Sequence, residues 1–511
     1  MTRWRKLAGL AAPLGVIALG CAWLIALLSS LPEEVYFSGD GGLKALMVRQ
    51  LLAGDWAPWL ALDEPRWVRA LWDQGMYPFR PPFAHALEGR WYSSFEWAFP
   101  TLSAPAYALA GDRGLYALPV LGLLAVWARF VVLLRTLRVG AFPSTVALAL
   151  LVFATPLTFY AATFWEHTPA VALAFAGCAD LMLLERDARR SRALRAGLLL
   201  GLACWLRPEA MVFGACALAA QLPSSQRRAV AMAGASFAAV LGVYFVFNRA
   251  TYGEWLGVHA IQVLERPQGS ATRLTGAIGL AGGLRDIWLE HMPLTWAALA
   301  LVGTTLASRS PLGAIARRTV VVMLLAFLGT VIVVPNNGGM QIGPRYLLLL
   351  VPLTALLVAL GVHQLAHAPR LARWSALLVL IGLGGLSAHE NLGARSSRLA
   401  DKYATRILPS VSAIERHPEA GVMFGHHWAA LEMTHGIDGR PVVTVSSLAQ
   451  IDRAVQAMVR HGHEVLLVDG PDGRRFRVGG RQRHGEVWID WTVISERGQY
   501  HVLHGARSAA P

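Results

Sequence analysis

Charge is scarce in this chain. Only 15% of its 511 residues are Asp, Glu, Lys or Arg, against 55% hydrophobic, and the mean hydropathy is +0.44. A soluble globular surface needs about a quarter of its residues charged, so the shortage excludes a single water-soluble globule and points to burial in lipid. Acids are scarcer than bases, 32 against 46, giving a formal net charge of +14. The bases fall in short clusters between apolar runs rather than along one amphipathic face, which argues against a nucleic-acid partner. Cysteine is rarer still. Cys21, Cys178, Cys204 and Cys216 all lie inside apolar runs, so neither a disulfide framework nor a thiolate metal cage is expected. Also missing are a Gly-rich phosphate loop, a Ser-His-Asp constellation, an Asp-x-Asp motif on the inner side, and any internal repeat or low-complexity tract.

Long apolar runs are what the chain has instead. A spanning helix needs about 20 mostly apolar residues, because backbone groups left unpaired in hydrocarbon cost several kcal/mol each. The first run, Leu7 to Leu31, follows the basic start Met1 to Lys6; it is too long for a cleaved signal and has no small-residue cleavage site before Pro32, so it reads as a retained helix. Ten further spans are expected near Tyr116–Leu137, Phe142–Phe164, Pro169–Leu184, Ala193–Leu206, Ala210–Leu222, Ala229–Phe247, Met292–Ala307, Thr319–Val334, Tyr346–His363 and Trp374–Leu386. The expectation is therefore an all-α polytopic membrane protein of about eleven transmembrane helices.

Arginine placement orients these spans, since short cytoplasmic loops hold an excess of Lys and Arg. Arg3, Arg5 and Lys6 start inside, and alternate turns return to Arg135 and Arg138, Arg186 to Arg195, Arg227 and Arg228, Arg317 and Arg318, then Arg370 and Arg373. Ala193 to Leu222 has basic flanks on both sides and is interrupted by Arg207, Pro208 and Glu209, so it is expected to turn at Pro208 as two short helices. The outer side then receives Pro32–Leu115, Trp165–Thr168, Asn248–His291 and Pro335–Arg345, together with everything after about Asn391. That last portion turns polar, with strand-like runs Val422–Phe424, Pro441–Val445, Glu464–Val468 and Val487–Ser495 and a helical run Leu448–His461. The expected organisation is a transmembrane domain over 1–390, including the outer loop 32–115, and a small extracytoplasmic α/β domain over 391–511.

The outer loop 32–115 interleaves Trp56, Trp59, Trp67, Trp72, Trp91 and Trp97 with Pro65, Pro78, Pro81 and Pro82, a mix suited to short helices at the lipid headgroup level. Asp40 stands at its start within Ser38-Gly39-Asp40-Gly41-Gly42-Leu43-Lys44. Flanking glycines suit close approach to a ligand and a role as a base, while an N-cap for a helix Leu43–Leu52 accounts for the same residue; both readings stay open. Glu166 and His167 form an ionisable pair at the outer end of the third span. Arg345 follows Gly338, Gly339 and Gly343, and its fork is the side chain that grips phosphate in two places; the alternative is an interface anchor. Arg207 and Glu209 flank the turn at Pro208, where a partner is expected, either each other or a phosphate. Lys44 and Arg49 lie one helical face beyond Asp40, where cations are usually solvated. His426, His427, His435, His461, His463, His484, His501 and His504 have no metal-ligand spacing and read as scattered surface or core histidines, so no metal ligand is assigned.

These features together resemble the GT-C superfamily of membrane glycosyltransferases, which take sugars from polyprenyl-phosphate carriers. The resemblance rests on a first helix ending at an outward Asp40 and a long loop after it. It extends through Phe99-Pro100-Thr101-Leu102-Ser103-Ala104-Pro105, Trp165-Glu166-His167-Thr168-Pro169, Leu206-Arg207-Pro208-Glu209-Ala210 and Gly343-Pro344-Arg345-Tyr346. It covers about the first 390 residues and is similar to bacterial relatives of protein O-mannosyltransferases and aminoarabinose transferases. Two departures are visible: Gly41 rather than an acid follows Asp40, and the second-loop acid is Glu166 rather than an Asp.

The resemblance implies hexosyl or pentosyl transfer from a polyprenyl-phosphate-linked sugar to a glycan, lipid or protein acceptor, on the outer face of a bacterial cytoplasmic membrane. In that scheme Asp40 deprotonates the acceptor and Glu166 assists. Arg345 and Arg207 hold the donor phosphate, and His167, Lys44 and Glu209 contact substrate. No cofactor is assigned, and a divalent cation is left open. A transporter or flippase of lipid-linked saccharides is the rival, but it needs ionisable residues at mid-membrane and discontinuous repeats, whereas most acids here sit at the outer edge.

Overall fold

The computed structural model describes residues 3–510 apart from 34, 63, 259–260, 262–269, 335, 337, 339–342, 438, 471–475, 477 and 497. The chain divides into two compact units, one built from Met1–Leu28 and Tyr116–Ser397, the other from Ser29–Leu115 and Arg398–Pro511. The loop 32–115 thus groups with the C-terminal residues, where the sequence reading had placed it inside a domain spanning 1–390.

The first unit is helical. Among the described residues six helical stretches are long and apolar enough to cross a membrane, Ala11–Ser30, Ala98–Thr136, Arg227–Tyr252, Pro311–Val333, Arg345–His367 and Arg370–Glu415, and the apolar helices Ala141–Phe153, His167–Leu183, Ala210–Ala219 and Leu294–Gly303 are shorter. The chain is a multi-pass transmembrane protein. One apolar run breaks where a continuous span was expected, and another breaks where the turn at Pro208 was expected. The expected span Phe142–Phe164 stops at Phe153 and resumes only as the single turn Leu157–Tyr160, with Pro156 between them lacking the amide that a continuing helix needs. Ala193–Leu222 separates into Arg190–Cys204 and Ala210–Ala219, with Arg207, Pro208 and Glu209 in the break. Of the expected outer segments, Asn248–His291 and Pro335–Arg345 fall partly outside the described residues, as does Gly339.

Helix contacts in this unit depend on small residues. A Cβ on Gly122 would lie 2.4 Å from the backbone nitrogen of Pro169, and one on Gly197 would lie 2.0 Å from the carbonyl oxygen of Ala233. The helix His167–Leu183 is buried along nearly its whole length and carries Asp180, 1% exposed, inside it. An isolated charge there would be costly, and two guanidiniums offset it. Arg129 Nη2 reaches Asp180 at 2.6 Å, and Arg195 does so through Nε and Nη2 at 2.7 and 3.1 Å.

In the second unit six strands form one mixed sheet in the order β4-β3-β5-β8-β7-β6, with β3 Gly421–Phe424, β4 Val442–Thr444, β5 Val465–Asp469, β6 Gly480–His484, β7 Val487–Ser495 and β8 His501–Ser508. The strands β4, β3 and β5 run parallel, and β8, β7 and β6 add to them antiparallel. Two strands escaped the sequence reading. Polar, exposed β6 and the His/Arg-bearing β8 lack the apolar runs that mark β3 and β5. A separate hairpin, β1 Ala84–Leu87 with β2 Arg90–Ser93, comes from the loop.

The rest of the loop supplies core to that sheet. Leu71 and Met76 belong to the same buried cluster as Met423, Val443, Ile451 and Leu467, with Trp67 and Trp72 packed against it. Trp72 Nε1 donates to the carbonyl oxygen of Val442 at 2.8 Å, Trp67 stacks on His461 with ring centroids 4.4 Å apart, and Thr444 Oγ1 donates to the Pro78 carbonyl at 2.9 Å. Tryptophans expected at the headgroup level are therefore, at positions 67 and 72, packing groups of a folded domain. Trp56 remains exposed.

This difference sets a test. Trp72→Ala removes an indole from a packed position together with its hydrogen bond and is expected to destabilise the second unit by about 3 kcal/mol. Trp56→Ala is expected to be close to neutral. Thermal melting of the detergent-purified protein, followed by proteolysis of the C-terminal residues, distinguishes the two; equal sensitivity would refute the packing role.

Candidate active site

The sequence-selected residues fall in both units. In the first, Glu166 and Glu209 each occupy the capping position before a helix, His167–Leu183 and Ala210–Ala219. Helix N-termini carry partial positive charge from unpaired amides, so a carboxylate at each is favourable. The start of His167–Leu183 is fixed by Thr168 Oγ1 donating to the Pro119 carbonyl at 2.7 Å, which places Glu166.

Arg207, in the break between two helices, gathers both acids. Its Nη1 donates to Glu166 Oε1 at 2.9 Å, its Nε donates to Glu209 Oε1 at 2.8 Å, and its Nη2 also pairs with Glu209. All three side chains are largely buried. Of the two roles open for Arg207 and Glu209 in the sequence, the geometry contains the brace, enlarged by a carboxylate from another helix. His167 is not part of that brace. Its Nδ1 stands 4.0 Å from Glu166 Oε1, beyond hydrogen-bond reach, and its ring lies against Tyr160 and Trp165, each with centroids 5.1 Å away.

Arg345 opens the 3-10 turn Arg345–Leu350 that leads into the helix Val351–Gln364. Its guanidinium lies 4.9 Å from the Tyr346 ring centroid, and its Nη2 donates to the Tyr346 hydroxyl at 3.1 Å. Arg207 lies 5.6 Å from the same ring. Tyr346 is thus flanked by two guanidiniums, an arrangement that aromatic faces favour. Two of the glycines before Arg345 have left-handed backbones, Gly338 at φ +99° and Gly343 at φ +103°. A Cβ on Gly343 would meet the Tyr160 ring at 3.0 Å, and one on Gly338 would meet Arg345 Cγ at 3.4 Å, so these glycines make room for side chains of the cluster itself.

Asp40 and Lys44 belong to the second unit. The helix expected at Leu43–Leu52 starts four residues earlier, at Gly39, and Ser38 is its capping residue. Asp40 is therefore a first-turn acid, 4% exposed, rather than the cap. The glycines beside it serve packing: a Cβ on Gly39 would meet the Leu431 side chain at 2.7 Å, and one on Gly42 would meet the Leu431 carbonyl oxygen at 1.9 Å. Thr434 Oγ1 donates to the Gly42 carbonyl at 2.9 Å, and Arg49 Nη2 donates to the Thr434 carbonyl at 2.8 Å. Lys44 corrects the expectation of a solvated cation, because it is 1% exposed, with Nζ 4.4 Å from the Phe95 centroid and 5.7 Å from that of Phe99.

A group without any motif holds the segment leading to Asp40. Lys402 Nζ donates to the Phe37 carbonyl at 2.7 Å and to Glu432 Oε1 at 2.9 Å, and the Tyr500 hydroxyl donates to Glu432 Oε2 at 2.8 Å. Burial, and then the neighbouring Glu432 carboxylate, push the Tyr500 phenol well above its ordinary pKa. Buried Glu432 and Asp180 went unselected, since a single acid has no spacing to mark it, and Tyr346 entered only as part of the motif around Arg345.

Two crystal structures of ArnT from Cupriavidus metallidurans share this architecture. The apo state matches with a TM-score of 0.55 at 13% identity, covering 97% of this chain and 98% of that one. The complex with undecaprenyl phosphate matches with a TM-score of 0.54 at 14% identity, covering 97% of this chain and 99% of that one. The chain has the ArnT fold. The likeness takes in the C-terminal residues as well as the first 390 that the sequence resemblance covered. No protein-family model and no curated protein sequence matches the chain.

The brace predicts a specific instability. Arg207→Ala leaves two carboxylates buried without their cation and is expected to cost about 3 to 5 kcal/mol. Adding Glu166→Gln and Glu209→Gln to an Arg207→Met background, which removes all three charges, is expected to recover most of that loss. Melting temperatures in one detergent check this, and a triple variant no more stable than Arg207→Ala would disprove the charge-balance account.

Proposed function

We propose that this protein is a membrane glycosyltransferase that takes a sugar from a polyprenyl-phosphate donor and transfers it to an acceptor on the outer face of the cytoplasmic membrane. One observation supports it above the others: an ArnT-like fold over 97% of the chain, including a structure of ArnT bound to undecaprenyl phosphate. In this reading the N-terminus is cytoplasmic, and the residues after about Asn391 are extracytoplasmic.

The chemistry asks for two kinds of group. Asp40, in the first turn of the helix Gly39–Leu52, is the base that takes the proton from an acceptor hydroxyl or amine. The acceptor atom attacks the anomeric carbon, the bond from that carbon to the phosphate oxygen breaks, and polyprenyl phosphate leaves with the electron pair. The growing negative charge on the phosphate needs a preorganised cation, and Arg345, steadied by Tyr346, is the group assigned to it.

Arg207 is already shared by two carboxylates, so its part in this scheme is to position Glu166 and to pack its guanidinium near the Tyr346 ring. Glu166 assists at the donor sugar, with His167 and Glu209 beside it in the same cluster. Lys44 lies one turn from Asp40 in the helix Gly39–Leu52 and supplies positive charge on that side.

The test is transfer from a synthetic polyprenyl-phosphate sugar by purified protein. Asp40→Asn is expected to lower kcat at least about a hundredfold while leaving donor binding intact. Arg345→Ala is expected to lower kcat/KM for the donor by roughly ten- to a hundredfold, the range for losing a charge-assisted hydrogen bond, with partial recovery in Arg345→Lys. Full turnover by Asp40→Asn would remove it as the base. Stoichiometric movement of an intact lipid-linked saccharide with no transfer would replace the enzyme by a transporter.

A further inference from the structure

In the second unit, away from Asp40 in sequence, three side chains with metal-ligating atoms converge. His417, Glu464 and His504 each present one such atom within 4.8 Å of the other two. They come from three separate places: the turn after the helix Leu408–Glu415, the residue preceding β5, and the middle of β8. His504 Nε2 lies 2.8 Å from Glu464 Oε2, and the His417 ring stacks on that of His504 with centroids 4.4 Å apart at 27°. A hydrogen bond accounts for the Glu464–His504 pair. It does not account for a second imidazole held against the first.

The backbone under each residue is fixed. His504 is paired with Leu466 of β5 and Thr492 of β7, and the Glu464 carbonyl accepts from the Gly421 amide at 2.8 Å. The His417 amide donates to the Ile414 carbonyl at 3.0 Å, while its own carbonyl accepts from Arg440 Nη1 at 3.0 Å. Ligands mounted on rigid, hydrogen-bonded elements lose little freedom on binding, which is what a preformed site requires.

We infer that His417, Glu464 and His504 form a binding site for a divalent zinc-class cation, independent of the transferase site. Two imidazoles and one carboxylate are the donor set of a mononuclear zinc site that keeps a fourth position for water. Bonds of about 2.0 to 2.2 Å to nitrogen and oxygen place such ligand atoms near 3.3 Å from one another, so small side-chain rotations close the cluster around the ion. Glu464 is half exposed, its side chain 55% accessible, and offers the ion a path from solvent. All four cysteines lie in the other unit, so no thiolate competes within this one. Bound there, the ion ties the turn at His417 to two central strands of the sheet.

The experiment uses tag-free, full-length protein in detergent, stripped of metal and titrated with Zn²⁺ against a chromophoric chelator, with Co²⁺ as a spectroscopic probe. One equivalent of zinc per chain is expected, together with a visible cobalt absorption band and a raised melting temperature on zinc addition. His417→Asn and His504→Asn are each expected to weaken zinc binding at least tenfold and to abolish the cobalt band, whereas His426→Asn leaves both unchanged. Should either cluster variant fail to fold, Glu464→Gln decides in its place by the same tenfold criterion. Binding below one equivalent in the wild type, or affinity unaltered by substitution within the cluster, overturns the assignment.

Discussion

One hydrophobic core, filled from two distant parts of the chain, is the constraint on which the second unit depends. The indole of Trp72 and the backbone of Val442 are 370 positions apart in sequence and share a hydrogen bond. Around that bond Leu71 and Met76 pack into the sheet formed after residue 420. The sheet and the helices packed on it leave apolar area to cover, and the loop between the first helix and Tyr116 covers part of it. That is why the loop is long and aromatic. It is also why Asp40, at the loop's start, is held by a folded domain rather than by a flexible linker.

The same economy governs the charges. Each candidate acid stands at the start of a helix: Asp40 in the first turn of Gly39–Leu52, Glu166 before His167–Leu183 and Glu209 before Ala210–Ala219. Unpaired amides at these ends place partial positive charge beside each carboxylate. Arg207 then pairs with two of the acids at once, and Arg129 with Arg195 pairs with Asp180 near the other end of the helix that Glu166 precedes. In apolar surroundings an unmatched charge is expensive, so the positions of these arginines are set by the acids they neutralise.

Glycine plays a consistent part. Gly39 admits the side chain of Leu431 and Gly42 its backbone, Gly343 admits the ring of Tyr160, and Gly122 admits the start of the helix that Glu166 precedes. In every case the space a Cβ would take is occupied by a neighbouring element that positions a candidate residue. The glycines around Asp40 and Arg345 suggested open approach to a ligand; in the folded chain they are contact points that bring helices and rings close enough to fix those side chains.

The sequence alone determined the membrane character, the break at Arg207-Pro208-Glu209 and most strands of the C-terminal sheet. Each of these follows from local composition, from proline's missing amide, or from short motifs read along the chain. Tertiary structure decided what local pattern does not encode. A tryptophan next to prolines reads the same whether it meets lipid headgroups or a protein core, and only the fold shows Trp72 against Val442. Lys44 looked solvated because spacing cannot reveal Phe95 and Phe99 closing over it. The pairing of Glu166 with Arg207 and the meeting of His417, Glu464 and His504 join residues about forty or more positions apart. Such partners are set by how helices and strands pack in three dimensions, and that geometry leaves no periodic trace in the sequence.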